Sequence, residues 1–126
     1  MDDKGSLAKD YGYRVLYWAN SVRKRCNVPT DTSFKYYGAK GVKFKFADLR
    51  EFAEYMLTMG RVQGIGKNLD DILDMKYSVD RIDVYGDYQK GNLRWATRTE
   101  QANNKRANAN AAPLIHYDVL LANDYY

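Results

Sequence analysis

One stretch, YSVDRIDVYGDYQKGNLRWATRTEQANNKR at residues 77–106, limits the possible folds more than any other. Val79 and Ile82 place apolar side chains on a first extended segment. Leu93 and Trp95 alternate with Arg94 on a second, the period-two pattern of a half-buried strand. Between them, Asp83 to Gly91 includes Gly86 and Gly91 and reads as a turn-rich connection. Thr97 with Glu100, or Thr99 one step on, has the chemistry to cap a helix that begins there. That helix carries Gln101, Asn103, Asn104, Lys105 and Arg106. The segment therefore predicts strand, turn, strand and helix in sequence.

Upstream, Leu16, Ala19, Val22 and Cys26 recur at three- and four-residue steps and predict an amphipathic helix from Tyr13 to Cys26. Pro29, Asp31 and Ser33 mark a loop, and Gly38 and Gly41 a turn. In the following KFKF segment, Val42, Phe44 and Phe46 alternate with Lys43 and Lys45, as a half-buried strand would. Tyr36 and Tyr37, beside Lys35 and Lys40, read as a wedge in the turn or as base-stacking rings. Asp48 and Glu51 form a capping-box pair ahead of a helix that buries Leu49, Phe52, Met56 and Met59 and stops at Gly60. Residues 61–68 read as a flexible link, and LDDILDM as a short helix.

The charge is uneven. Residues 13–106 hold 18 Lys/Arg against 11 Asp/Glu, a net of +7 in a chain of +4 overall. A basic middle favours a polyanionic partner, because neutralised phosphates release condensed counterions. The single cysteine excludes an intramolecular disulfide and a multi-cysteine zinc site, and Cys26 is expected to pack as a small hydrophobe. No apolar run approaches the roughly 18 residues of a membrane span. The expected setting is cytoplasmic, with no membrane partner.

The string D-R-I-D, a glycine-containing turn, N-L-R-W-A-T and E-Q-A-N-N-K-R resembles the ββα-metal finger of phage HNH homing-endonuclease-like proteins. Upstream, W-x-x-x-x-x-x-R-C and Y-Y-G-x-x-G-V extend the likeness over residues 13–106. A second likeness, through KFKF, is to the APETALA2-type domain, which lays a three-stranded sheet in the major groove. The resemblance implies a small single α+β domain with N-terminal helices, a short antiparallel sheet and a C-terminal ββα finger at 77–106. Outside that span, residues 1–12, polar and ending in glycine, read as a flexible leader, and 107–126 as an apolar C-terminal tail.

Enzymes of that family use a His general base and a divalent metal on hard ligands. The resemblance places Asp80 and Asn103 as ligands for Mg2+ or Mn2+, and Asn92 as the residue that orients the turn and braces the base. Arg81 stands at the His position, and a guanidinium has no lone pair with which to take a proton. The only histidine, His116, lies in the tail outside the motif. Candidate phosphate contacts are Lys40, Lys43, Lys45, Arg94, Arg98, Lys105 and Arg106. Gln101 and Asn104, with Asn103 if it is not a ligand, are candidate adenine readers. The leading expectation is a DNA-binding protein, with duplex DNA as partner, on a degenerate nuclease fold. The alternatives are a metal-dependent nicking endonuclease, or a phage inhibitor of a host defence complex or enzyme that uses residues 113–126 as its contact.

Overall fold

A computed structural model describes residues 3–111, with side chains described from 4 to 104. The elements are α1 (Asp3–Tyr11), α2 (Tyr13–Asn27), single-turn 3-10 helices at Phe34–Tyr36 and Gly38–Lys40, α3 (Leu49–Val62), α4 (Leu69–Asp74), β1 (Ser78–Arg81), β2 (Leu93–Ala96) and α5 (Arg98–Ala111). β1 and β2 pair antiparallel, with Asp80 opposite Arg94 and Val79 opposite Trp95. Helices and an antiparallel sheet make the fold α+β, in one small domain. No described helix is long and apolar enough to cross a membrane.

The core lies between α2, α3 and one face of the sheet. α2 turns Val15, Leu16, Ala19, Val22 and Cys26 inward, and α3 answers with Leu49, Phe52, Ala53 and Met56. Trp18 stacks on Phe52 at 5.1 Å and on Trp95 at 5.3 Å, so three aromatic rings tie α2, α3 and β2 together. Trp95 is a core residue whose Nε1 donates to the Met56 carbonyl at 2.7 Å. The outer edge of β2 is met by a side chain: Trp95 N donates to Gln63 Oε1 at 2.8 Å, and Gln63 Nε2 donates to Trp95 O at 2.9 Å. An amide fits there because it offers a donor and an acceptor side by side, as a strand backbone does.

The predicted caps are present. Glu51 N donates to Asp48 Oδ1 at 2.8 Å, and Glu51 Oε1 accepts from Ala47 N at 2.9 Å. Thr97 and Glu100 bond reciprocally, Thr97 N to Glu100 Oε1 at 2.8 Å and Glu100 N to Thr97 Oγ1 at 3.2 Å. LDDILDM begins α4 behind an Asn68 cap.

Four local expectations are corrected. Residues 3–11 form a helix docked on α3, with Leu7 wholly buried, where a loose leader was expected. Its anchors are polar and distant in sequence: Arg50 Nη2 donates to Ser6 O at 2.9 Å and reaches Asp10, and Tyr11 donates to Glu54 at 3.1 Å. The KFKF segment keeps its alternating burial but is no strand; it makes one isolated parallel bridge, Phe44 with Tyr88. The APETALA2-type three-stranded sheet is therefore absent among the described residues. Gly60 does not stop α3, which runs to Val62. A Cβ at Gly60 would lie 2.3 Å from Ile72 Cδ1, so glycine serves the close approach of α4. Ile82 is exposed, because β1 ends at Arg81.

Leu7→Ala is expected to lower the unfolding free energy by about 2–5 kcal/mol, the usual range for emptying a buried leucine site. Urea denaturation measures it, and a loose leader would leave the midpoint unchanged.

Candidate nucleic-acid interface

Side chains alternate across a strand, so neighbours on β1 serve opposite faces. Arg81 points to the core face, where it is buried. Its Nη1 donates to the Val84 carbonyl at 2.8 Å and the Gly86 carbonyl at 2.9 Å. Its guanidinium packs 5.2 Å from the Tyr37 ring centre and 5.5 Å from that of Tyr88. Arg25 approaches the same Tyr37 ring at 5.6 Å. Tyr37 is thus the wedge in its turn, buried between two arginines. Burial holds the Tyr88 hydroxyl protonated far above the usual range. It also pushes the Cys26 thiol up to about 12, against the pull of Arg81 and Arg25.

Asn92 organises the β1–β2 loop from its other end. Its Oδ1 accepts from Asp83 N at 2.8 Å, and its Nδ2 donates to the carbonyls of Asp83 at 3.1 Å and Asp87 at 3.0 Å. A Cβ on Gly86 would sit 2.6 Å from that Nδ2, so the turn must have glycine there. Asp87 then reaches out of the loop. Its carboxylate accepts from Lys43 N at 2.8 Å and pairs with Lys45 Nζ at 3.0 Å. Burial opposes its charge, but the Lys43 amide and the Lys45 ammonium prevail and lower its pKa.

The opposite face of the sheet carries Asp80 beneath α5. Asp80 has no exposed surface; its Oδ2 accepts from Arg94 Nε at 3.1 Å and from Asn104 Nδ2 at 3.1 Å. Asn104 also donates to the Arg81 carbonyl at 2.9 Å. Gln101 is buried one turn earlier and bonds to Ser78 Oγ and the Ala96 carbonyl. Gln101 and Asn104 share the helix face turned to the sheet, as their three-residue spacing requires. Both amides expected to read adenine are thus bonded inward in this structure.

The two expected metal ligands differ in environment, Asp80 being fully buried and Asn103 exposed. Asn104, not Asn103, is the helix residue on Asp80, and Asn103 lies on an exposed position. A divalent ion such as Mg2+ needs carboxylate oxygens at about 2.0–2.1 Å and space for several waters. Here the fully buried Asp80 carboxylate bonds a guanidinium and an amide through Oδ2, which leaves no room at that oxygen for an ion and its waters. Among the described residues, no three or more His, Cys, Asp or Glu side chains are grouped to hold a metal. Arg81 and Asp80, neighbours in the motif, do not converge at all.

Lys40, Lys43, Lys45 and Arg98 are exposed, and Arg94 keeps 33% of its side chain accessible. Lys43 and Lys45 come together beside the β1–β2 loop, whereas Arg94 belongs to the Asp80 face. Lys105 and Arg106 lie on α5, their side chains outside the described residues, as are His116 and the tail from 113. Nothing among protein-family models, curated proteins or solved structures matches this chain. The partners of Arg81 (Tyr37, Tyr88 and the loop carbonyls) are missed by sequence reasoning. So is Asp87, and only the Asp-rich loop following a basic strand-like segment hints at it.

Arg81→His, which puts a side chain able to accept a proton at this position, is expected to lower the Tm and to produce no plasmid nicking with manganese. The side chain faces the core, and two charge-assisted bonds of about 1.5–3 kcal/mol each are lost. Stability should also hold up to about pH 9 and decline between 9 and about 12, because the unfolded Cys26 thiol ionises there while the folded one keeps its proton. Urea midpoints against pH check this, and Cys26→Ala should lessen the decline most between about pH 9 and 10, above which the buried Tyr88 hydroxyl adds a loss of the same sign.

Proposed function

We propose that this chain is a DNA-binding protein on a degenerate HNH-type fold, bound to duplex DNA through its phosphates and without cleaving it. The observation that carries the reading is the exposed lysine run at 40, 43 and 45, held on a backbone segment that is itself fixed. Lys43 N, Lys43 O and Lys45 N are bonded to Asp87 Oδ1, Tyr88 N and Tyr88 O at 2.8, 2.9 and 2.8 Å. Cations on a preset backbone meet a phosphate row with less ordering cost than cations on a loose loop. Arg98 at the start of α5 adds a further exposed charge.

The reading without cleavage rests on chemistry. A general base must offer a lone pair within reach of the attacking water. Arg81 offers none and is turned into the core. Phosphate contacts of this kind position a protein on the duplex but carry no base information. Binding is therefore expected to depend little on sequence and strongly on salt.

If about five phosphates are neutralised, the log–log plot of affinity against salt should have a slope near −4.5, and Lys40→Gln and Lys43→Gln should each reduce its magnitude by about 0.9. Fluorescence anisotropy with a short duplex across a salt series measures both. No binding at low salt would remove the proposal, and plasmid nicking with magnesium that disappears in Asp80→Asn would replace it with the enzymatic reading.

A further inference from the structure

The Asp80 face of the sheet holds a cation already, and it belongs to the protein. Arg94 stands directly across the ladder from Asp80, so the guanidinium reaches the carboxylate without leaving its own strand. The ion pair is asymmetric: Asp80 is fully enclosed, while Arg94 keeps 33% of its side chain exposed. Nε is committed to Asp80 at 3.1 Å, and Asn104 closes the other approach to the same oxygen at 3.1 Å. The remaining four N–H donors of a guanidinium lie on its two terminal nitrogens, in the fork that matches phosphate oxygens. The Glu100 carboxylate also feels Arg94, but its pKa is lowered chiefly by its bonds to Thr97 and least by Arg94.

We infer that Arg94 is a built-in replacement for a catalytic metal: a phosphodiester-binding guanidinium, oriented by the buried Asp80 carboxylate, that lets the protein engage a nucleic-acid backbone without any divalent ion. This rests on the DNA-binding reading and deepens it. A metal holds a phosphate by pairing a protein carboxylate on one side with a phosphate oxygen on the other. The Asp80–Arg94 pair has the same polarity, carboxylate inside and positive charge outside. Unlike a metal ion, a guanidinium provides no bound water that could ionise to a nucleophile. The same substitution thus supports docking and removes hydrolysis. Asp80 is here a positioning residue and Arg94 the phosphate contact.

The test uses the full chain and a short duplex. Mn2+ titrated calorimetrically into the protein should give no binding isotherm, and duplex affinity should not fall when magnesium is replaced by EDTA and monovalent salt at equal ionic strength. Arg94→Gln should reduce the magnitude of the salt slope by about 0.9, while Arg94→Lys, which keeps the charge, should preserve it. A purely structural ion pair would lower the Tm of Arg94→Gln without moving that slope. On the unmutated chain, the Arg94 Nε–Hε resonance should shift when duplex is added in EDTA, which keeps the test decisive where Arg94→Gln fails to fold. Stoichiometric Mn2+ binding lost in Asp80→Asn, a folded Arg94→Gln with the wild-type slope, or an Arg94 resonance unmoved by bound duplex would each overturn the inference while leaving DNA binding intact. Failure of the wild-type chain to bind duplex at any salt would instead sink the DNA-binding reading beneath it.

Discussion

The burial of the Arg81 guanidinium is the constraint on which the lower half of this molecule depends. A charge taken out of water must find hydrogen bonds and compensating electrostatics, or the fold cannot keep it there. Arg81 obtains them from two loop carbonyls and two tyrosine faces. Those partners come from two distant places: the turn at Tyr37, and the β1–β2 connection at Val84, Gly86 and Tyr88. One side chain thereby fixes the path of the β1–β2 loop and seats it against the segment that carries Lys43 and Lys45. With Asn92 bonding the same loop from its far end, the connection is held from inside at both strands.

The two faces of the hairpin divide the chemistry. On the inner face, Val79, Trp95 and Arg81 meet aromatic rings from α2, α3 and the 3-10 turns. On the outer face, Ser78, Asp80 and Arg94 meet α5, a helix with no apolar side chain larger than alanine. Hydrophobic burial alone cannot hold such a helix. Its described attachment uses the amides of Gln101 and Asn104, which read the sheet's polar groups much as they would a base edge. The residue types that suggest nucleic-acid contact are therefore the ones the fold uses to assemble itself, and positive charge is left as the outward-facing property.

Local patterns are legible wherever the physics is local. Thr97 with Glu100, Asp48 with Glu51, the inward stripe of α2, and the alternation around Trp95 all involve groups a few residues apart. Their geometry follows from helix and strand periods. The α1 helix is not legible, because apart from Leu7 its hold on the body comes from Arg50 and Glu54 some forty positions away. Gly60 looks like a helix stop and is a packing notch, a distinction set by Ile72 on another element. KFKF alternates as a strand does, yet the pairing a strand needs is supplied only at Phe44, since the adjacent chain at Tyr88 is a loop held by Arg81.

By itself the amino-acid order determined the α+β class, the strand–strand–helix unit after residue 77, the caps, and the absence of a proton-accepting group at position 81. Tertiary structure alone decided what the polar residues of that unit face: Arg81 inward to tyrosine, Asn104 rather than Asn103 onto Asp80, and Arg94 half in and half out. The reason is that an ionisable or amide side chain has no preferred environment until a specific partner is brought to it. Partners separated by tens of residues meet only through the packing of the whole chain.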